Sequence, residues 1–341
     1  MELYLDSVNL KEIEEAFNLG TLAGLTTTPT FMHREGIKDV DSMILKLSKM
    51  VPVLQVEALG KTAEEVLKEA ERLINLGLSP KTTVFKIPVS LEGIRACKML
   101  RNKGLLVNVH LIYTLQQAYM AANAGATYAC PLVGRLQDQG HDALALIEQC
   151  VEMVYQYGYD TKIMFSSVRT AEHVRNAINL GVQTITVPWS ILKKLTDNNF
   201  TDLGTKQFYD HTLLITTRVG EVIRNENPKV TLEDTVMEAS LKMTESGLGA
   251  VSVVNSEGEI IGIFTDGTLR RALKESGKAL LDKKMADFSF QIPLCIEEDE
   301  ILEKAVSIIK QNKVDNLVVV RGKNPVGMLD VQDLIKLEII G

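Results

Sequence analysis

A short apolar run followed by an amphipathic stretch recurs eight times in about the first 190 residues, and this rhythm restricts the fold more than any other feature. The runs are Leu3–Asp6, Leu22–Thr26, Val53–Val56, Thr83–Ile87, Leu105–Val109, Tyr128–Pro131, Ile163–Phe165 and Thr184–Val187. Between them, segments such as 62–76 and 91–102 carry apolar residues at three- and four-residue spacing, the signature of an amphipathic helix. Gly20, Gly77, Gly104, Gly125 and Gly181 stand where those helices must stop. Strands that alternate with helices in this way predict a parallel α/β fold. No Gly-x-Gly-x-x-Gly follows the first run, so a dinucleotide-binding open sheet loses its main support. The expectation is an eight-fold (β/α)8 TIM barrel.

Such a barrel collects functional residues at the C-terminal ends of its strands. The polar residues expected there are Asp6, Thr26, Thr27, Thr28, Gln55, Lys86, Asn108, His110, Arg135, Ser166 and Ser167. Lys86 stands out, because an ammonium inside the run Thr-Val-Phe-Lys-Ile-Pro is costly to bury unless it is paired or neutral. Two readings stay open from this segment alone. One is a lysine snorkelling from a strand end; the other is a desolvated amine that forms an imine with a carbonyl substrate, with Asp6 as proton partner.

After about residue 196 the rhythm changes to two similar units, about 60 residues apart, each with a helix, two strands joined by a turn, and a closing helix. The halves are expected to pack as one regulatory-sized module, giving domains at 1–215 and 216–341, the second dividing into about 217–283 and 284–341. The net charge of −7 argues against a broad basic surface for nucleic acid. No apolar run has the length of a membrane span, and the N-terminus is acidic where a secretion signal needs base. Cys97, Cys130, Cys150 and Cys295 are scattered, with no metal-ligand spacing, which fits a reducing cytoplasm and predicts no metal.

Residues 1–215 resemble the transaldolase and fructose-6-phosphate aldolase family of Schiff-base enzymes. The resemblance is carried by Leu5-Asp6-Ser7, Gly24-Leu-Thr-Thr-Thr-Pro29, Phe85-Lys-Ile-Pro88, Ala124-Gly-Ala126, Pro131-Leu-Val-Gly-Arg135, Ser166-Ser167 and Thr201-Asp-Leu-Gly204, in family order. It implies that Lys86 forms the imine and that Asp6 handles protons at the donor carbons. By the same resemblance Arg135 and Ser167 hold a substrate phosphate, helped by Arg169, with Thr26, Thr28 and Asn108 also at the substrate. No cofactor is implied, since the imine is itself the electron sink. The departures are specific. Thr28 replaces the family's asparagine, and Leu132 stands where the aldolase branch has tyrosine. Gln55 and His110 appear at the positions where transaldolases hold a catalytic water between glutamate and threonine. His110 is then the expected substitute acid/base, because histidine titrates near neutral pH.

Residues 217–341 resemble a pair of CBS domains, like the pair attached to arabinose-5-phosphate isomerases, through Gly247-Leu-Gly-Ala250, Gly262-Ile-Phe-Thr-Asp-Gly-Thr-Leu-Arg-Arg271 and Gly327-Met-Leu-Asp-Val-Gln-Asp333. The resemblance implies an adenine nucleotide or nucleotide-sugar effector near Thr265, Asp266, Thr268, Asp330 and Asp333. Each half lacks one member of the Thr/Asp pair that such domains use for ribose, so an oligomerisation role stays open. The combined expectation is a cytoplasmic, homo-oligomeric class I aldolase or transaldolase acting on phosphorylated ketoses. Two alternatives remain: a related enzyme with a different donor or a rearrangement reaction, and an inactive sensor that binds a nucleotide or partner.

Overall fold

A computed structural model describes residues 1–338. The chain divides into two compact units, with the boundary between Asp197 and Asn198. In the first, eight parallel strands close in sequence order into a barrel. They are β1 (Glu2–Asp6), β2 (Gly24–Thr26), β3 (Leu54–Glu57), β4 (Thr83–Pro88), β5 (Leu106–Ile112), β6 (Tyr128–Pro131), β7 (Lys162–Phe165) and β8 (Thr184–Val187). All eight coincide with the apolar runs of the sequence. Hydroxyl side chains of Thr62, Ser90, Thr114 and Thr170 cap the helices that follow β3, β4, β5 and β7, each accepting a backbone N–H of the first turn.

Strand parity separates two cores. Leu5, Leu25, Leu54, Phe85, Val107 and Phe165 point outward and pack under the helices. Tyr4, Val84, Tyr128, Cys130 and Met164 fill the barrel interior. The Tyr4 and Tyr128 hydroxyls meet at 3.0 Å across the barrel, joining the non-adjacent strands β1 and β6. Gly24 makes room for this pair, because a Cβ there would stand 2.6 Å from the Tyr4 ring and 2.5 Å from the Val53 carbonyl oxygen.

The second unit holds two three-stranded sheets of matching design. One comprises β9 (Lys229–Thr231), β10 (Ala250–Val254) and β11 (Ile260–Thr265); the other comprises β12 (Cys295–Glu297), β13 (Asn316–Arg321) and β14 (Asn324–Asp330). Corresponding irregularities interrupt β10 at Val253/Val254 and β13 at Val319/Val320. Each half has its own apolar cluster, and Leu248 and Ala250 of one share a third with Val318, Val320 and Met328 of the other. The strands β9 and β12 are not among the sequence expectations; at three residues each they carry too little periodicity to be read. The helix Asn199–Thr216, which the sequence places with the barrel, groups here with the second unit. Its Leu214 packs on the Val219–Leu302 cluster and its Lys206 pairs with Glu338 at 3.1 Å.

Candidate active site

Because the strands run parallel, a residue two positions further along each strand lies one layer nearer the mouth. Asp6 lies above Tyr4, Glu57 above Gln55, Lys86 above Val84, and His110 above Asn108. The register sets Lys86 beside Glu57 on one side and Asn108 on the other. The β5 ladder shifts between His110 and Ile112, and Leu111 takes a left-handed backbone (φ 57°). This bulge extends β5 past the strand end read from sequence, so His110 lies within the strand rather than after it.

Lys86 is 5 % exposed. Its Nζ lies 3.0 Å from Glu57 Oε1 and donates to the Thr27 carbonyl at 2.6 Å. His110 Nε2 lies 2.9 Å from Glu57 Oε2, out of hydrogen-bonding alignment, and neither atom has a hydrogen-bond partner. Burial alone would raise the Glu57 carboxyl, but the Lys86 ammonium and His110 together hold it below its ordinary value. Burial pushes His110 below the usual imidazole value, with Glu57 pulling the other way. Glu57 is not among the residues expected from the sequence: the apolar run ends at Val56, although the alternation that turns Gln55 inward also turns Glu57 inward.

His110 is expected to titrate below the ordinary imidazole value. Its imidazole stays neutral to lower pH than a free histidine, and Glu57→Gln moves its midpoint further down by removing the group that favours its charged form. Since the folded pKa lies below the unfolded one, the neutral ring's contribution to stability is present above the unfolded value and is lost as pH falls. A ¹⁵N titration of the imidazole checks this, and an upward shift in the variant would contradict it.

Around this trio the other expected residues divide. Asp6 accepts from Thr26 Oγ1 at 2.7 Å, and Thr26 meets Thr186 at 2.5 Å. One hydroxyl proton serves one bond, so with Thr26 donating to Asp6, Thr186 donates to Thr26. Burial raises the Asp6 carboxyl against the pull of Lys86 and of Thr26. Gln55 is fully buried and accepts from Asn108 Nδ2 at 2.7 Å, which leaves Asn108 Oδ1 without a partner beside Lys86. Unpartnered buried polar atoms are rare in folded proteins. Here Gln55 Nε2, Asn108 Oδ1, Glu57 Oε2 and His110 Nε2 lie on two strands flanking Lys86. Thr28 Oγ1 accepts the Phe31 N–H and caps the helix Pro29–Arg34.

Across the mouth, Arg135 is exposed and touches the Tyr113 hydroxyl at 3.4 Å; no carboxylate among the described residues pairs with it. Ser167 has a left-handed backbone (φ 60°). Gly134 permits this approach, since a Cβ there would stand 2.2 Å from the Ser167 carbonyl oxygen. Arg169 is committed elsewhere: both of its terminal nitrogens bond Asp138 at 2.5 Å.

In the second unit, Thr265 and Asp330 are equivalent helix N-caps, accepting from Thr268 N and Gln332 N, and Asp266 opens the first of these helices. Thr268 meets Thr265 at 3.2 Å and Arg271 at 3.3 Å. Asp333 is buried and held by Arg224 through bonds of 2.8–3.0 Å, while Arg224 also reaches the Ser246 and Gly247 carbonyls.

Comparison with known proteins places both parts of the chain. The family model described as transaldolase/fructose-6-phosphate aldolase matches residues 3–238, and the CBS domain model matches 219–275 and 287–339. A "probable transaldolase 2" of Bacillus cereus is 37% identical over 213 residues, covering 61% of this chain and 96% of that protein. A "probable transaldolase" of Methanococcus vannielii is 37% identical over 210 residues, covering 61% and 95%. Among solved structures, a CBS-domain protein from Agrobacterium tumefaciens overlaps 37% of this chain and 96% of its own, at 19% identity and a TM-score of 0.33.

Proposed function

Since the chain belongs to the transaldolase/fructose-6-phosphate aldolase family and carries a CBS pair, we propose that it is a Schiff-base enzyme that cleaves or transfers a unit from phosphorylated ketoses. The observation that carries this reading is the buried series of contacts from Lys86 through Glu57 to His110 at the barrel mouth. Lys86 Nζ adds to the donor carbonyl carbon once the ionised Glu57 carboxylate has taken a proton from its ammonium. The carbonyl oxygen leaves as water. When the bond between the α and β carbons then breaks, its electron pair passes into the iminium to give an enamine, and the β-hydroxyl gives up its proton as the departing half leaves as an aldehyde. Neutral His110 exchanges protons with Glu57. Asp6, with its carboxyl raised by burial, serves the proton steps at the donor carbons.

Asn108 Oδ1 receives a substrate hydroxyl, with Gln55 fixing the amide that presents it. Arg135, free of carboxylates, and Ser167 take the phosphate. In the second unit the matched CBS halves take an adenine nucleotide or related effector. Incubation with a phosphorylated ketose and borohydride, followed by peptide mapping, tests the central step. A sugar-sized adduct on the peptide containing Lys86 is expected. An adduct on any other lysine, or none with any ketose, overturns the reading. Mass balance with and without an acceptor aldehyde then separates transfer from cleavage.

A further inference from the structure

Beside the Lys86 site lies a cavity of about 360 Å³ that shares two of its walls, Thr27 and Glu57. It runs outward from the β2–β3 side of the mouth, away from Arg135 and Ser167 on the β6–β7 side. Its size lies within the range of small-molecule sites. Half of the side chains that line it are apolar. Met32, Ile44 and Leu73 are almost fully buried there, and Leu59 and Val40 stand at the open end.

The charged groups of the cavity exclude an anion. Arg72 is engaged by four hydrogen bonds of 2.7–3.0 Å, two to Asp41 and two to Glu69, so its guanidinium has no fork left for phosphate. Two carboxylates share this one cation, and Glu57 adds a third carboxylate at the inner end. An uncharged group that gains from leaving water fits this lining better than a phosphate or a polyol.

We infer that this cavity receives an uncharged, apolar limb on the carbonyl carbon of the donor, so that among unphosphorylated hydroxymethyl ketones an alkyl tail is preferred over a methyl or hydroxymethyl group. The inference rests on the proposed imine at Lys86. That amine, tied to both shared walls, bonds the carbonyl carbon while the tail turns outward along Glu57 and Thr27.

Three donors with the same hydroxymethyl-carbonyl head test it: 1-hydroxyhexan-2-one, hydroxyacetone and dihydroxyacetone. Each condenses with Lys86 Nζ, loses water, and is fixed when borohydride delivers hydride to the iminium carbon; intact mass reports the adduct. The concentration giving half-maximal adduct is expected to be at least tenfold lower for 1-hydroxyhexan-2-one than for the other two, as burial of two or three extra methylenes predicts. Leu59→Trp narrows the cavity from its exposed end, where Leu59 is 54% accessible, and is expected to bring the ratio within twofold of one. Val40→Trp, at a second exposed position, repeats the test should the first variant misfold.

Equal half-saturation for all three donors, or a preference that survives both substitutions, overturns the inference. Adducts with dihydroxyacetone but not the alkyl donor overturn it while leaving the imine reading intact. No adduct with any of the three donors, nor with a phosphorylated ketose, overturns both.

Discussion

Lys86→Met is expected to reduce turnover by at least three orders of magnitude and to reverse the sign of Glu57's contribution to the pH dependence of stability. The catalytic loss follows from the proposed imine, which needs the Lys86 amine; when residues act as a unit, losing the nucleophile costs about as much as losing the whole set. The stability effect follows from Glu57. In the native site Lys86 and His110 hold its carboxyl below the ordinary value, so its contribution is present above the unfolded pKa and is lost as pH falls through the folded one. Without Lys86, burial is the dominant influence and the folded pKa rises above the unfolded value. In the variant, Glu57's contribution therefore falls as pH rises from the carboxylate range towards neutrality. At pH 7 the broken pair is expected to cost about 3–5 kcal/mol, the usual penalty for leaving one buried charge without its partner. Adding Glu57→Gln removes the stranded charge and should recover most of that loss with no recovery of turnover. Denaturant titrations at pH 5 and pH 7 on the three proteins check the scheme. A stability difference between pH 7 and pH 5 that is the same in Lys86→Met as in the parent would contradict it.

The barrel was legible because buried parallel strands are near-continuous apolar runs, and each here is bounded by a glycine, a cap or a polar turn. Lys86 was legible for the opposite reason, as a charge inside such a run. Glu57 was not, because a charged residue at the end of a run looks like the first residue of a loop. What brings it to Lys86 is the lateral register of β3 against β4, and no local pattern encodes that. The bulge after His110 was equally hidden, since Leu111 is a residue type that rarely adopts a left-handed backbone and nothing at that position announces one. The partner of Gln55 is hidden for the same reason: its residue type suggests chemistry, and only its position two residues deeper in the strand shows that it holds Asn108. In the second module the Thr265 and Asp330 spacing read as ligand chemistry is also helix capping, and one pattern serves both descriptions.

The pair formed by Arg224 and Asp333 shows how much can rest on a contact between residues 109 positions apart in the chain. Arg224 precedes β9 in the first half of the module, and Asp333 lies in the closing helix of the second. The guanidinium bonds both carboxylate oxygens and two carbonyls at the end of the helix Val236–Ser246, so it ties both halves together and terminates a helix in one geometry. Lys336, 3.6 Å from the same carboxylate but largely exposed, is a poor substitute. Arg224→Ala strands a carboxylate whose side chain is 11% accessible and also frees the carbonyls, and it is expected to destabilise the second unit by about 3 kcal/mol. Arg224→Met with Asp333→Leu removes both charges and should be much less damaging than Arg224→Ala alone, because no buried ion remains to be solvated. Measured as a denaturant midpoint on the full chain, the double variant should unfold close to the parent and the single variant well before it. If the single variant matches the parent, the pair is a surface contact worth under about 1 kcal/mol, and the apolar cluster of Leu248, Val318 and Met328 joins the halves without it.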